Sequence, residues 1–143
     1  MKTNFILRLA AAGALSICCA GAFAQVAVVV NPKNPLASMT ADQVSGIFLG
    51  KSNTLPSGAT AMPTDLPDSV PTREIFYPKV TGKSTAQVKA AWSRLVFSGK
   101  ATPPKELASS ADVKKFVASN PDAIGYIEKS AVDSSVKVVF SAD

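Results

Sequence analysis

The chain has 143 residues, with 15 Lys and Arg against 10 Asp and Glu, a formal charge of +5, two cysteines and no histidine. Both cysteines, Cys18 and Cys19, fall within a leading segment that reads as removable, so the rest of the chain offers neither thiol nor imidazole. That excludes Ser-His-Asp and Cys-His catalysis, disulfides, and zinc sites built on sulfur or imidazole.

The leading segment has the three parts of a signal peptide. Lys2 and Arg8 form a cationic start, and Leu9 to Ala20 is an apolar run shorter than the ~20 residues a spanning helix needs. Ala22-Phe23-Ala24 then supplies a small-x-small cleavage site. The expectation is a signal peptide over residues 1–24 and one domain over 25–143, located in the periplasm or secreted. Lipid attachment at Cys18 or Cys19 is disfavoured, because the preceding Ile17 and Cys18 are not the small residues it requires. About 119 residues remain, carrying about +3, enough for one domain with a sizeable core. Lysines such as Lys33, Lys51, Lys100 and Lys137 are scattered, without interleaved aromatics, and read as solvated faces rather than a nucleic-acid stripe. No apolar run after Ala24 is long enough for membrane insertion.

Strand and helix signals then alternate. Val26 to Val30 is an unbroken apolar run closed by Asn31-Pro32, the pattern of a strand buried on both faces in a largely parallel sheet. Thr40-Ala41-Asp42-Gln43 is a capping box opening a short helix, with Val44, Ile47 and Phe48 as its apolar stripe and Gly50 as its stop. Lys51 to Ala59 is loop-like, and Thr60 to Pro63 reads as a brief strand closed at Asp65. After a second loop, Leu66 to Val70, Pro71 sits where a helix starts, with Ile75, Phe76 and Val80 along it. Pro78 is expected to kink that helix or end it early.

Ser84-Thr85-Ala86-Gln87 opens the clearest helix, with Val88, Ala91, Trp92, Leu95 and Val96 on one face and Gly99 beyond its end. Trp92 is assigned to the core. Pro103-Pro104 marks a linker, and Ser109 or Ser110 caps a helix with Val113, Phe116 and Val117 that stops at Asn120-Pro121. Ile124 to Ile127 and Val136 to Phe140 complete the strands. The alternation predicts one α/β domain.

Gly46-Ile47-Phe48-Leu49-Gly50-Lys51-Ser52 imitates a phosphate-cradling loop but has three residues between its glycines where nucleotide binding needs four. Its Ile47 and Phe48 also belong to a helix that ends there, so nucleotide binding is set aside.

Read together, Asn31-Pro32-Lys33-Asn34-Pro35-Leu36, the helix from Met39-Thr40 to Phe48-Leu49-Gly50-Lys51, Pro71-Thr72-Arg73-Glu74-Ile75-Phe76 and Asn120-Pro121-Asp122-Ala123-Ile124-Gly125-Tyr126 follow a familiar order. The chain resembles the phosphate-type periplasmic solute-binding proteins of ABC transporters over nearly all of residues 25–143. The resemblance implies a periplasmic-binding-protein-like (type 2) α/β fold, a central mostly parallel sheet flanked by helices, and an extracytoplasmic solute-binding role. Family members have two lobes and a Ser-Gly-Thr-Arg helix start that holds the anion. This chain has length for about one lobe and reads Val70-Pro71-Thr72-Arg73 there, with the nearest serine at Ser69.

The chemistry at that helix start has two readings. Unpaired N–H groups and the helix dipole favour an oxyanion held by Ser69, Thr72 and Arg73, with Asp65 accepting from a protonated oxygen. Otherwise Ser69 or Val70 only caps the helix, Arg73 pairs with Glu74 or Asp68, and Asp65 closes a turn. Glu74 would repel an anion if it lay close.

Asp112, Asp122, Glu128 and Asp133 fall on expected helix ends and turns, where acids cap or face water, so no acid–base pair and no enzyme is expected. No cofactor is implied. The main expectation is a solute-binding-like protein for phosphate or a related oxyanion, working with a membrane transporter and completing its clamp as a homodimer or by docking. The alternative is a ligand-free interaction or sensor module of the envelope, derived from a solute-binding lobe.

Overall fold

The computed structural model describes residues 25–143, so the signal peptide assigned to residues 1–24 lies outside the described residues. In chain order the elements are β1 (Val26–Val30), α1 (Ala41–Phe48), β2 (Met62–Asp65), α2 (Pro71–Thr81), α3 (Thr85–Phe97), β3 (Lys105–Glu106), α4 (Ser110–Ser119), β4 (Ala123–Glu128) and β5 (Lys137–Ala142). They form one five-stranded sheet in the order β3-β2-β4-β1-β5. The fold is therefore the expected α/β layer arrangement.

Strand direction corrects one detail. β2 is parallel to β3 and β4, whereas β1 is antiparallel to both of its neighbours, β4 and β5. Four strands thus run one way and β1 runs against them. Its burial is as the apolar run predicts, since all five residues are buried, but that burial comes from central position and cover on both faces rather than from parallel pairing. A bulge between Val28 and Val29 adjusts its register against β5.

Alternation along β4 shows what covers each face. Beside Gly125 lie Val113 and Val117 of α4, while Tyr126 meets Phe48 of α1 and Phe76 and Tyr77 of α2. The Phe76 and Tyr126 rings stack at 4.0 Å, and Phe48 meets Phe76 edge-on at 5.0 Å. Beyond this cluster, Trp92 of α3 donates its indole N–H to the Phe48 carbonyl across 2.8 Å. The Asn31 side-chain amide donates to the Val117 and Ala118 carbonyls at 2.9 and 3.0 Å, so the residue that ends β1 also closes α4.

Local signals set most helix ends. Thr40 with Gln43 and Ser84 with Gln87 both form complete capping boxes, and Ser109 rather than Ser110 caps α4. Helix α2 runs through Pro78 to Thr81 instead of ending early. Pro78 and Glu74 both lie on its exposed face, where water can take the Glu74 carbonyl that the missing N–H leaves. The Pro103-Pro104 linker leads directly into β3, a two-residue edge strand beside β2. β2 begins two residues later than expected, and Val96 at the end of α3 is exposed rather than packed. Among the described residues no helix is long and apolar enough to cross a membrane.

Candidate functional site

β2 ends at Asp65, and the chain turns through Asp68 into α2, so the first turn of α2 stands beside the strand end. Pro71 occupies the first helical turn and Val70 is the N-cap without a side-chain bond. Helical geometry then carries Thr72 and Arg73 to different neighbours.

Arg73 is only 6% exposed. Its Nε lies 3.4 Å from Asp65 Oδ1, its Nη1 donates to Asp68 Oδ1 at 2.6 Å, and its guanidinium carbon sits 5.1 Å from the centre of the Tyr77 ring. Burial pulls the guanidinium pKa down, but Asp65, the two phenols and Asp68 outweigh it and hold it above its ordinary value. Nη2 makes no hydrogen bond to any described residue. Because no buried side-chain nitrogen or oxygen among the described residues lacks a partner, that nitrogen is reached by solvent.

Asp65 is itself held by three hydrogen-bond donors and an ion pair. Tyr126 and the Leu66 N–H donate to its Oδ1, the latter at 2.8 Å, and Tyr77 donates to Oδ2 at 2.9 Å, with Arg73 alongside. Burial first, then the neighbouring Asp65 charge, pushes both phenols well above the ordinary tyrosine value. Both remain neutral donors over the whole physiological range.

Asp65, Asp68 and Arg73 line one end of a cleft of about 590 Å³. Lys89, Trp92, Val96 and Phe97 of α3 form another wall, and Pro103, Pro104 and Glu106 close it. Of the four residues expected to converge on an anion, Asp65 and Arg73 meet here. Ser69 is exposed and outside the lining. Thr72 is buried and turned elsewhere, its hydroxyl donating to Glu128 Oε1 at 2.5 Å. Glu74 points away and accepts from Thr85 at 2.9 Å, so it does not oppose an anion near Arg73.

Sequence reasoning missed three participants. Tyr77 and Tyr126 carry no spacing that marks them as polar partners of Asp65. Glu128, placed among water-facing acids, instead accepts from Thr72 and from Ser110, both at 2.5 Å, joining the starts of α2 and α4. Burial raises its pKa, but the Ser110 and Thr72 hydroxyls outweigh that and leave it below the usual carboxylate value. Among the described residues no three His, Cys, Asp or Glu side chains are grouped to hold a metal.

No protein-family model matches the sequence, and no curated protein is found similar to it. Solved structures are. A phosphate ABC transporter substrate-binding protein from Clostridium perfringens, with phosphate bound, matches with TM-score 0.65 and 25% identity over 80% of this chain and 43% of its own. An ABC-type phosphate transport receptor from Vibrio cholerae matches at 0.64 and 24% over 80% and 44%, and PstS from Borrelia burgdorferi at 0.59 and 14% over 82% and 48%. This chain therefore spans less than half the length of each. The fold defines a periplasmic-binding-protein-like α/β module. Within that class its fold is similar to those of the phosphate-binding proteins just named.

Proposed function

We propose that this chain is an extracytoplasmic solute-binding-like protein, exported by a signal peptide over 1–24, whose 25–143 domain takes a small oxyanion, phosphate first among them, beside Arg73 for an ABC-type transport system. It is a binder rather than an enzyme. The observation that carries this reading is the guanidinium of Arg73, buried, oriented by Asp65 and Asp68, lining the cleft and leaving Nη2 without a hydrogen bond to the described residues. A planar fork fixed on one edge offers its remaining donors to an oxyanion with little further ordering. Asp68 is the partner an anion displaces, since its side chain is 64% exposed. The phosphate bound in the Clostridium perfringens neighbour supports the ligand class.

The test is a thermal-shift titration of the purified protein with phosphate at low ionic strength, with sulfate, nitrate and chloride as controls. At a hundredfold excess over Kd a ligand adds about 2.7 kcal/mol, which raises the melting temperature by on the order of 10 °C in a domain of this size. The expected result is a shift specific to phosphate that Arg73→Ala and Arg73→Lys both weaken. A cooperative melt unmoved by any anion overturns the reading.

That outcome favours a ligand-free interaction or sensor module of the envelope. The observation behind this second reading is Phe97, 96% exposed, beside the half-exposed Val96 on the same cleft wall. Contact with a receptor would bury both.

A further inference from the structure

A second cavity, of about 940 Å³, lies on the other side of the connection between α3 and β3. Trp92 and Pro103 are shared by both cavities, but the second opens at the start of β2, beside Met62, whereas the Arg73 cleft opens at its end, beside Asp65. Its size falls in the ordinary range of ligand pockets, roughly 300–1,000 Å³.

Its lining combines apolar, neutral polar and cationic residues. Met62, Phe116 and Trp92 supply an apolar floor, and Met62 is 42% exposed although it is a large apolar side chain. Lys51, Lys100 and Lys105 stand around that floor, brought from the loop after α1, the segment between α3 and β3, and the first residue of β3. No acidic residue lines the cavity. The ion pairs among the described residues use Arg73, Lys89, Lys114 and Lys129, and none of the three rim lysines has a carboxylate within salt-bridge distance. Lys105 Nζ lies 5.0 Å over the Phe116 ring, so cation and floor meet at one point. The Arg73 cleft is the reverse, with three carboxylates, from Asp65, Asp68 and Glu106, against two cations.

We infer that the cavity bounded by Lys51, Lys100, Lys105, Met62, Trp92 and Phe116 is a second binding site, for a small organic anion with an apolar ring or chain and a multiply charged oxyanion group. The apolar part displaces water from Met62 and Phe116, and the charged part gathers ammonium groups that have no carboxylate partner. Inorganic phosphate lacks the apolar half and gains little here. The inference is independent of anion binding at Arg73.

The probe is 1-naphthyl phosphate, titrated calorimetrically into the purified protein, with 1-naphthol and inorganic phosphate as the two half-ligands. The expected result is saturable binding of the ester, much weaker binding of 1-naphthol, and no displacement of the ester by equimolar inorganic phosphate. Replacing Lys51, Lys100 and Lys105 together by alanine should weaken binding about tenfold, the combined size of three exposed charge contacts. High salt should weaken it in the same direction. These lysines are exposed, so the variant should melt like the wild type. Lys89→Ala, at an exposed residue that lines only the Arg73 cleft, should leave the affinity for the ester unchanged. Absence of saturable binding, an affinity indifferent to the three lysines, or loss of the ester on Lys89→Ala each overturns the inference, the last by placing the probe in the other cleft.

Discussion

Tyr126 donates its phenolic hydrogen to Asp65 across the sheet, from the middle of β4 to the end of β2. The contact joins the aromatic cluster to the floor of the cleft, because the same carboxylate orients Arg73 and the same ring stacks on Phe76. Tyr126→Phe keeps the stack and deletes one donor to a partly buried carboxylate. Loss of a hydrogen bond to a charged acceptor costs about 1.5–3 kcal/mol, and urea denaturation at neutral pH should report a drop of that order. An unchanged midpoint would mean that Asp65 is held by its other donors alone.

The two phenols also set an alkaline limit. Their folded values stand above the ordinary tyrosine value of about 10, so each contributes stability that is fully present below about pH 10 and is lost as pH rises through the window toward the folded value. Above pH 10 the loss should run at about 1.4 kcal/mol per pH unit for each group. Denaturation curves between pH 8 and 11 should show a shallower decline in the Tyr77→Phe, Tyr126→Phe double variant than in the wild type.

Glu128 acts at the other end of the pH scale. Its folded value is depressed, so its contribution is present above about pH 4.3, the ordinary glutamate value, and is lost as pH falls through the lower folded value. Glu128→Gln retains an acceptor for Thr72 but has no charge to lose. Stability measured from pH 7 down to pH 3 should be lower than wild type at neutrality and should converge with it in acid.

Tight packing of β4 against α4 gives a fourth prediction. A Cβ on Gly125 would stand 2.5 Å from Thr64 Oγ1 and 2.6 Å from Val113 Cγ1, and both side chains are fully buried, with Thr64 hydroxyl-bonded to the Ile124 carbonyl. Neither has room to retreat. Gly125→Ala should cost about 1–3 kcal/mol, as overpacking does, visible as a lowered melting temperature.

These contacts differ in how far the sequence foretells them. The capping boxes at Thr40 and Ser84 are legible because each closes within three residues, and the burial of Val26 to Val30 is legible because five apolar residues in an extended segment need cover on both faces. The direction of β1 is not, because its pairing is decided by partners about a hundred residues away. Asp65 and Arg73 could be named from the motif around Pro71, yet their mutual contact depends on where β2 ends. Glu128 was hidden for a similar reason. Its partner Thr72 is 56 residues earlier, and nothing local separates such an acid from one facing water.

Asp68 gives the sharpest test of the proposed anion site. Its carboxylate accepts from Arg73 Nη1 at 2.6 Å and lies 3.8 Å from Lys89 Nζ, so it occupies both cations that an oxyanion in the cleft would use. Asp68 is the exposed end of this pair and Asp65 stays beside the buried guanidinium, so Asp68→Asn, which keeps size and an acceptor while removing the competing charge, costs the fold little. The variant should fold normally and bind phosphate about threefold to tenfold more tightly in a calorimetric titration, since a charge contact of this size converts to that range. Glu106→Gln, on the far wall of the same cleft, should give a smaller gain in the same direction because it makes no contact with Arg73. If Asp68→Asn weakens phosphate binding instead, the carboxylate is a ligand group rather than a competitor. In that case the anion is held as its protonated form, by donating a hydrogen to Asp68.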